Sequence, residues 1–264
     1  MRLYYEIAVR SFRRITTYRV SFVLGIITNA FFGALRCFVF IALYRQQAAP
    51  VVAGFTLSDA ITYTWLTQSL ISIGAGWIAS DVAMTIRSGD VITDLSRPWS
   101  FTGAWLSRFL GERVFNLCVR GTLTYAIGVL LFGARLPTPG ALAGFGAAIG
   151  LALLLSFAYM FLVNLTAFWL LDNTGVVLIA NILLSFFSGF YLPLAFFPAA
   201  LQAVAAALPF QAITSLPARI FLGQIQGPEL GAALLLQSAW VVVLFGLNRL
   251  MLRLAVRTIV IQGG

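Results

Sequence analysis

The feature that most constrains this chain is a succession of apolar runs, each of about 20 residues or more and so able to cross a bilayer as a helix. They occupy residues 20–44, 57–79, 104–132, 142–171, 176–192 and 230–252. Links carrying proline, glycine or charge separate them, at 45–56, 133–140 and 172–175 among others. Only 9% of the residues are charged and 61% are hydrophobic, whereas a soluble domain carries about a quarter charged residues. One water-soluble core cannot hide that much apolar surface. The expectation is an all-α membrane protein with six transmembrane helices, forming a single domain over residues 1–264 with no room for a separate soluble one. The first run is too long for the apolar region of a cleaved leader and is expected to stay as a span.

Three stretches depart from this pattern. Residues 1–19 interleave Arg2, Arg10, Arg13, Arg14 and Arg19 with Leu3, Ile7, Phe12 and Ile15 at roughly helical spacing. That spacing predicts a helix lying in the membrane interface and leading into the first span. A polar island follows the second run, from Ile86 to Trp99. Ser80-Asp81 is a candidate N-cap pair for a short helix over 82–87, Gly89 suits its stop, and Asp90 starts a second turn toward Leu95. Arg97-Pro98 ends the segment. The third stretch, 193–227, is punctuated by Pro193, Pro198, Pro209 and Pro217. Its pieces are too short to cross and predict a re-entrant hairpin of short helices, whose irregular backbone must be covered by protein or face water.

The formal net charge is +9, and all 17 basic residues are arginine. The N-terminal arm, the island region and the C-terminus carry Arg2, Arg10, Arg13, Arg14, Arg19, Arg87, Arg97, Arg108, Arg113, Arg249, Arg253 and Arg257. The opposite links carry Arg45, Arg135 and Arg219. Six spans put both termini on one side, and the positive-inside rule makes that side cytoplasmic. Juxtamembrane arginines of this kind set topology and contact membrane lipids with anionic headgroups. No soluble basic face exists to carry a duplex, so nucleic acid is not an expected partner.

Several chemistries are excluded by composition. The chain has no histidine, which removes histidine-dependent catalysis. Cys37 and Cys118 fall inside apolar runs and read as small buried hydrophobes, with no zinc-ligand spacing. A chain without lysine cannot hold the G-x-x-x-x-G-K-[ST] phosphate loop. Any ATP hydrolysis therefore belongs to another polypeptide. Asp59, Asp81, Asp172 and Glu229 lie at the ends of the runs, whereas an ion-gradient-driven secondary transporter, the alternative reading, wants carboxylates near the midplane. Asn29, Arg36, Tyr63, Gln68 and Asn181 are polar groups within spans and are candidates to line a path. Hydrogen bonding between helices is the open alternative for Asn29, Gln68 and Asn181, and snorkelling toward the interface for Arg36. Arg120 is deeper, with no partner visible in the sequence. Gly146 and Gly150 suggest a close helix contact. The mostly apolar path favours an amphipathic or lipid-like substrate.

The order of these features resembles a known family. A basic N-terminal helix is followed by six spans. Ser88-Gly89-Asp90 and Leu95-Ser96-Arg97-Pro98 come after the second span, and Ser188-Gly189-Phe190-Tyr191-Leu192-Pro193 closes the fifth. Phe197-Pro198, Leu208-Pro209-Phe210 and Pro217 through Gly223 follow it. Together they resemble the permease subunit of ABC-2-type transporters, in the compact branch without a large external domain. The resemblance implies a permease protomer that pairs with a second permease and receives a separate ABC ATPase subunit on its cytoplasmic side. This chain would bind no cofactor, ATP and Mg being held by the ATPase, and would sit in the plasma (inner) membrane as part of an exporter. The coupling segment, 81–98, would place Ile86, Arg87, Asp90, Asp94, Leu95, Arg97 and Pro98 at the ATPase.

Overall fold

The computed structural model describes residues 2–15, 19–46, 49–74, 81–170 and 172–262. Ser80, the end of the second apolar run at 75–79, the join at 16–18 and Leu171 lie outside them. The chain is nearly all helical. The amphipathic stretch forms α1 (Arg2–Ile15), and the first span forms α2 (Arg19–Gln46). A small antiparallel hairpin, β1 (Val51–Val52) and β2 (Phe55–Thr56), leads into α3 (Leu57–Ser69) and α4 (Ile71–Gly74). Thr56 and Asp59 start α3 as a capping box. The Thr56 hydroxyl accepts from the Asp59 amide at 3.1 Å, and the Asp59 carboxylate accepts from the Thr56 amide at 2.9 Å.

The island folds as α5 (Asp81–Arg87) and α6 (Val91–Ser96). Gly89 divides them at φ 81°, where a side chain would be strained. α7 (Phe101–Phe115) starts at the Ser100 cap and runs through one π-helical stretch, Asn116–Gly121, into α8 (Thr122–Phe132). α9 (Pro139–Leu165) takes Thr138 as its cap and proline in its first turn, where the missing N–H costs nothing. Then follow α10 (Thr174–Phe187), α11 (Ala199–Ala206), α12 (Ser215–Phe221) and α13 (Pro228–Gln262).

Four stretches among the described residues are long and apolar enough to cross a membrane: Phe22–Gln46, Phe101–Phe132, Pro139–Phe168 and Pro228–Arg257. Ala199–Ala206 and Pro209–Phe221 form a pair bent by 73°, and α10 is apolar but shorter. α9 is the central helix. Of its apolar stretch 61% is buried, against 17–22% for the other three, and α13, α12, α10, α7 and α5 pack around it. On the outside, Leu24, Ile27, Phe31 and Phe38 of α2 and Leu178, Ile179 and Ile182 of α10 are each 57–63% exposed. Faces of this kind suit hydrocarbon and not water.

Close helix contact occurs elsewhere than the sequence suggests. Among the described residues a Cβ at Gly146 or Gly150 would meet nothing within 4 Å, so that pair brings no described helix close. Gly111 and Gly128 do: a Cβ there would stand 2.1 Å from the Ala8 carbonyl oxygen of α1 and 2.2 Å from the Trp65 ring. Polar contacts between elements define two ends. At the island end Tyr4 meets Ser100, and Arg87 meets Asp172. At the hairpin end Tyr44 meets Phe55, Asp59 pairs with Arg135, and Tyr63 meets Gly189.

Candidate functional site

Both island helices are rooted by one apolar stripe. Val82, Ala83 and Ile86 of α5 and Val91 of α6 are buried in the core, and Leu95 packs partly against it. Asn164 of α9, itself fully buried, accepts from the Ala83 amide at 3.0 Å through its side-chain oxygen. It thus satisfies a first-turn donor of α5 that no helical carbonyl can reach. Arg87 donates from Nη2 to Asp172 Oδ1 at 2.9 Å and to Asn173 Oδ1 at 2.6 Å, tying α5 to the turn before α10. The same Asp172 oxygen accepts from the Thr174 amide at 2.9 Å and hydroxyl at 2.6 Å. These bonds, and then the Arg87 charge, hold the Asp172 carboxyl below the usual carboxylate range.

The other island residues face outward. Asp90 stands at the start of α6 without bonding its N–H groups and accepts from the Ser88 hydroxyl at 2.6 Å. Asp94 and Arg97 pair at 3.5 Å, and the Arg97 guanidinium lies 5.0 Å from the centre of the Trp99 ring. Arg97 is extended and the exposed Pro98 follows it, which ends α6. Ile86, in contrast, is 9% exposed and acts as an internal anchor. Met84 and Ile92 are each 59% exposed. Both lie off the buried stripe. Beside Met84, a cavity of about 710 Å³ opens between α1, α5 and α7, lined by Arg10, Arg14, Met84, Asp90, Trp105 and Arg108 among others.

Asn29, Arg36 and Arg120 meet other elements along one side of α2. Asn29 is buried, donates to the Gln68 carbonyl at 3.4 Å, and accepts from Arg120 Nη2 at 3.2 Å. Arg120 also donates to the Gly25 carbonyl at 2.9 Å, and the bare Gly25 backbone makes room for its guanidinium. Arg36 donates from Nη1 to the Phe190 carbonyl at 2.5 Å and to that of Tyr191 at 3.3 Å, with the Phe190 ring 5.0 Å beneath it. It therefore bonds inward to the backbone after α10. Tyr63 is buried and donates to the Gly189 carbonyl at 2.7 Å. Gln68 is also buried. Asn181 is half-buried on α10, a helix packed on α9.

A family model described as ABC-2 family transporter protein matches residues 30–263. The chain belongs to that family. It is accordingly a membrane transport component and a multi-pass membrane protein. The match begins within α2, so it covers both the island and the hairpin end of this ABC-2 protein and leaves α1 outside. No curated protein and no solved structure matches the chain.

Three features of the ABC-2 protein's island end escape reading by sequence. Asn164 looks like one polar residue in a long apolar run, yet it caps α5. Asp172 and Asn173 look like a tight link, yet they hold Arg87. Met84 and Ile92 are apolar like the buried residues beside them, yet their side chains are exposed.

Proposed function

We propose that this chain is the permease subunit of an ATP-driven exporter in the plasma membrane. It works as a single domain, pairs with a second permease, and receives a separate ATPase on the island end. The observation that carries this reading is the α5–Gly89–α6 segment: anchored by Val82, Ile86 and Val91, it leaves Met84 and Ile92 bare on the outside. Exposed apolar side chains on a rooted, charged segment suit a protein partner. Asp90, Asp94, Arg97 and Pro98 frame that contact, with Leu95 supporting it from behind. Arg87 acts inside the segment, passing its displacement to α10 through Asp172 and Asn173.

The arginine bias supports a cytoplasmic island end with both termini on that side. Counting α3–α4 and α10 as spans gives six crossings, with the bent pair α11–α12 as a re-entrant cap. ATP and Mg reside on the partner, whose closure pushes α5–α6 and reshapes the path beside α2, Asn29, Arg36 and Gln68 included. Tyr63 braces the hairpin end.

The test is affinity purification of the full chain from its native membrane. An ABC ATPase is expected to co-purify with wild type, and M84D/I92D is expected to lose at least tenfold of it while remaining folded. Thr93→Cys in a Cys118→Ser background is expected to react with an impermeant maleimide only after permeabilisation. Absence of the ATPase, or labelling of intact cells, would overturn the proposal. Transport in ATP-free vesicles under an imposed ion gradient would replace it with secondary transport.

A further inference from the structure

Arg36 and Arg120 lie within the apolar spans and are joined to no carboxylate among the described residues. Backbone carbonyls and one amide oxygen solvate them without neutralising them. Each also keeps a buried nitrogen without a hydrogen-bond partner, Nη2 of Arg36 and Nε of Arg120. A charge held in hydrocarbon without a counterion is expensive and marks a functional position. The structure accommodates Arg120 at a cost. It projects from the π-helical turn Asn116–Gly121 over a bare Gly25, and such turns are frequent at functional sites.

The two cations share one side of α2. Arg120 binds Gly25 and Asn29, and Arg36 follows Asn29 by seven residues, a rise of about 10 Å along a helix. Arg120 lies nearer the island end, and Arg36 binds backbone at the hairpin end. The group that best completes a guanidinium fork is an oxyanion. The flank of α2 offers Phe31, Phe32 and Leu35, exposed by 49–63%, to an aliphatic tail.

We propose that Arg120 and Arg36 are two successive stations for the anionic headgroup, phosphate or carboxylate, of an amphiphile that moves along α2. This names a substrate class and rests on the transport reading. The first station takes the headgroup near mid-membrane, and the second receives it toward the hairpin end. Asn29 holds Arg120 in place between the helices.

The test uses the full chain in phosphatidylcholine nanodiscs, without ATP or ATPase. Cys118 is exposed, two residues from Arg120, and takes a fluorophore once the buried Cys37 is replaced by serine. Two probes with the same brominated tail are compared, a monoalkyl phosphate and a trimethylammonium. The phosphate probe is expected to half-quench at a concentration at least tenfold lower than the ammonium probe. R36Q/R120Q is expected to lose that preference, and R36K/R120K to keep most of it. Equal quenching by both probes, or an intact preference in the glutamine variant, overturns the proposal. If the glutamine variant does not fold, the two-probe comparison on wild-type arginines at Cys118 still decides. Displacement of the probe by phosphatidylglycerol would assign the anion to resident lipid. Failure to displace would assign it to a transported amphiphile, and both results support the anion site. Failure of an ATPase to co-purify would leave this measurement unaffected.

Discussion

The island end and the hairpin end are joined to the same central helix, α9, but held differently. At the hairpin end several ties are buried: the Tyr63 hydroxyl to the Gly189 carbonyl, the Ser215 amide to the Ser188 carbonyl, and the Gln237 side chain to the Ala148 and Ala212 carbonyls. At the island end the tie from α5 to the turn before α10 is wetter, with Arg87 and Asp172 side chains 34% and 72% exposed. A buried hydrogen bond costs much to break because its partner is left dry, whereas an exposed ion pair is worth little on its own. The difference suits one end to hold its shape and the other to be displaced.

The largest effect that tests this contrast is steric. Gly111→Leu places a side chain against the α1 backbone, which cannot rotate aside. It is expected to cost about 3 kcal/mol or more and to detach α1 from α7, read by thermal unfolding and by protease cutting after the arm. Gly128→Leu meets the buried Trp65 and is expected to cost about as much. Unchanged melting in either variant would contradict the packing described.

Tyr63→Phe comes next. It strands the Gly189 carbonyl in the hairpin end and is expected to lower stability by about 1–3 kcal/mol, with ATPase capture unaltered. Arg87→Ala is expected to cost under about 1 kcal/mol yet to reduce ATP-driven transport by at least fivefold with ATPase capture retained. The swap R87D/D172R should restore part of the transport. Recovery of none, with both singles folded, would remove Arg87 as the link to α10.

The smallest effect is on pH dependence. The folded Asp172 carboxyl titrates below its unfolded value, so falling pH protonates the unfolded chain first. Its contribution is complete at neutral pH and is lost as pH falls below about 4, through the depressed folded value. The slope of melting temperature against pH in that window should be steeper in wild type than in D172N, by a modest amount, because the carboxylate is largely exposed.

Much of the framework follows from local residue chemistry. The basic and apolar alternation gives α1, Gly89 splits the island into α5 and α6, and the prolines after Phe187 break the chain into short helices. These depend on backbone preferences and on periodicity, which neighbouring residues carry themselves. The interior ties were not legible in the same way. Arg120 finds Gly25 across 95 positions, Ala83 finds Asn164 across 81, and Arg36 finds Phe190 across 154.

By itself the sequence determined a membrane-embedded helical protein, with one arginine-rich end and no phosphate loop of its own, because span length, charge bias and missing residue types are properties of the unfolded chain. Only the tertiary structure decided which glycines allow helices to touch, which island side chains stay bare and how the span arginines are solvated. Each of those depends on what another helix places opposite, and every glycine, methionine or arginine is written identically in the sequence whatever it faces.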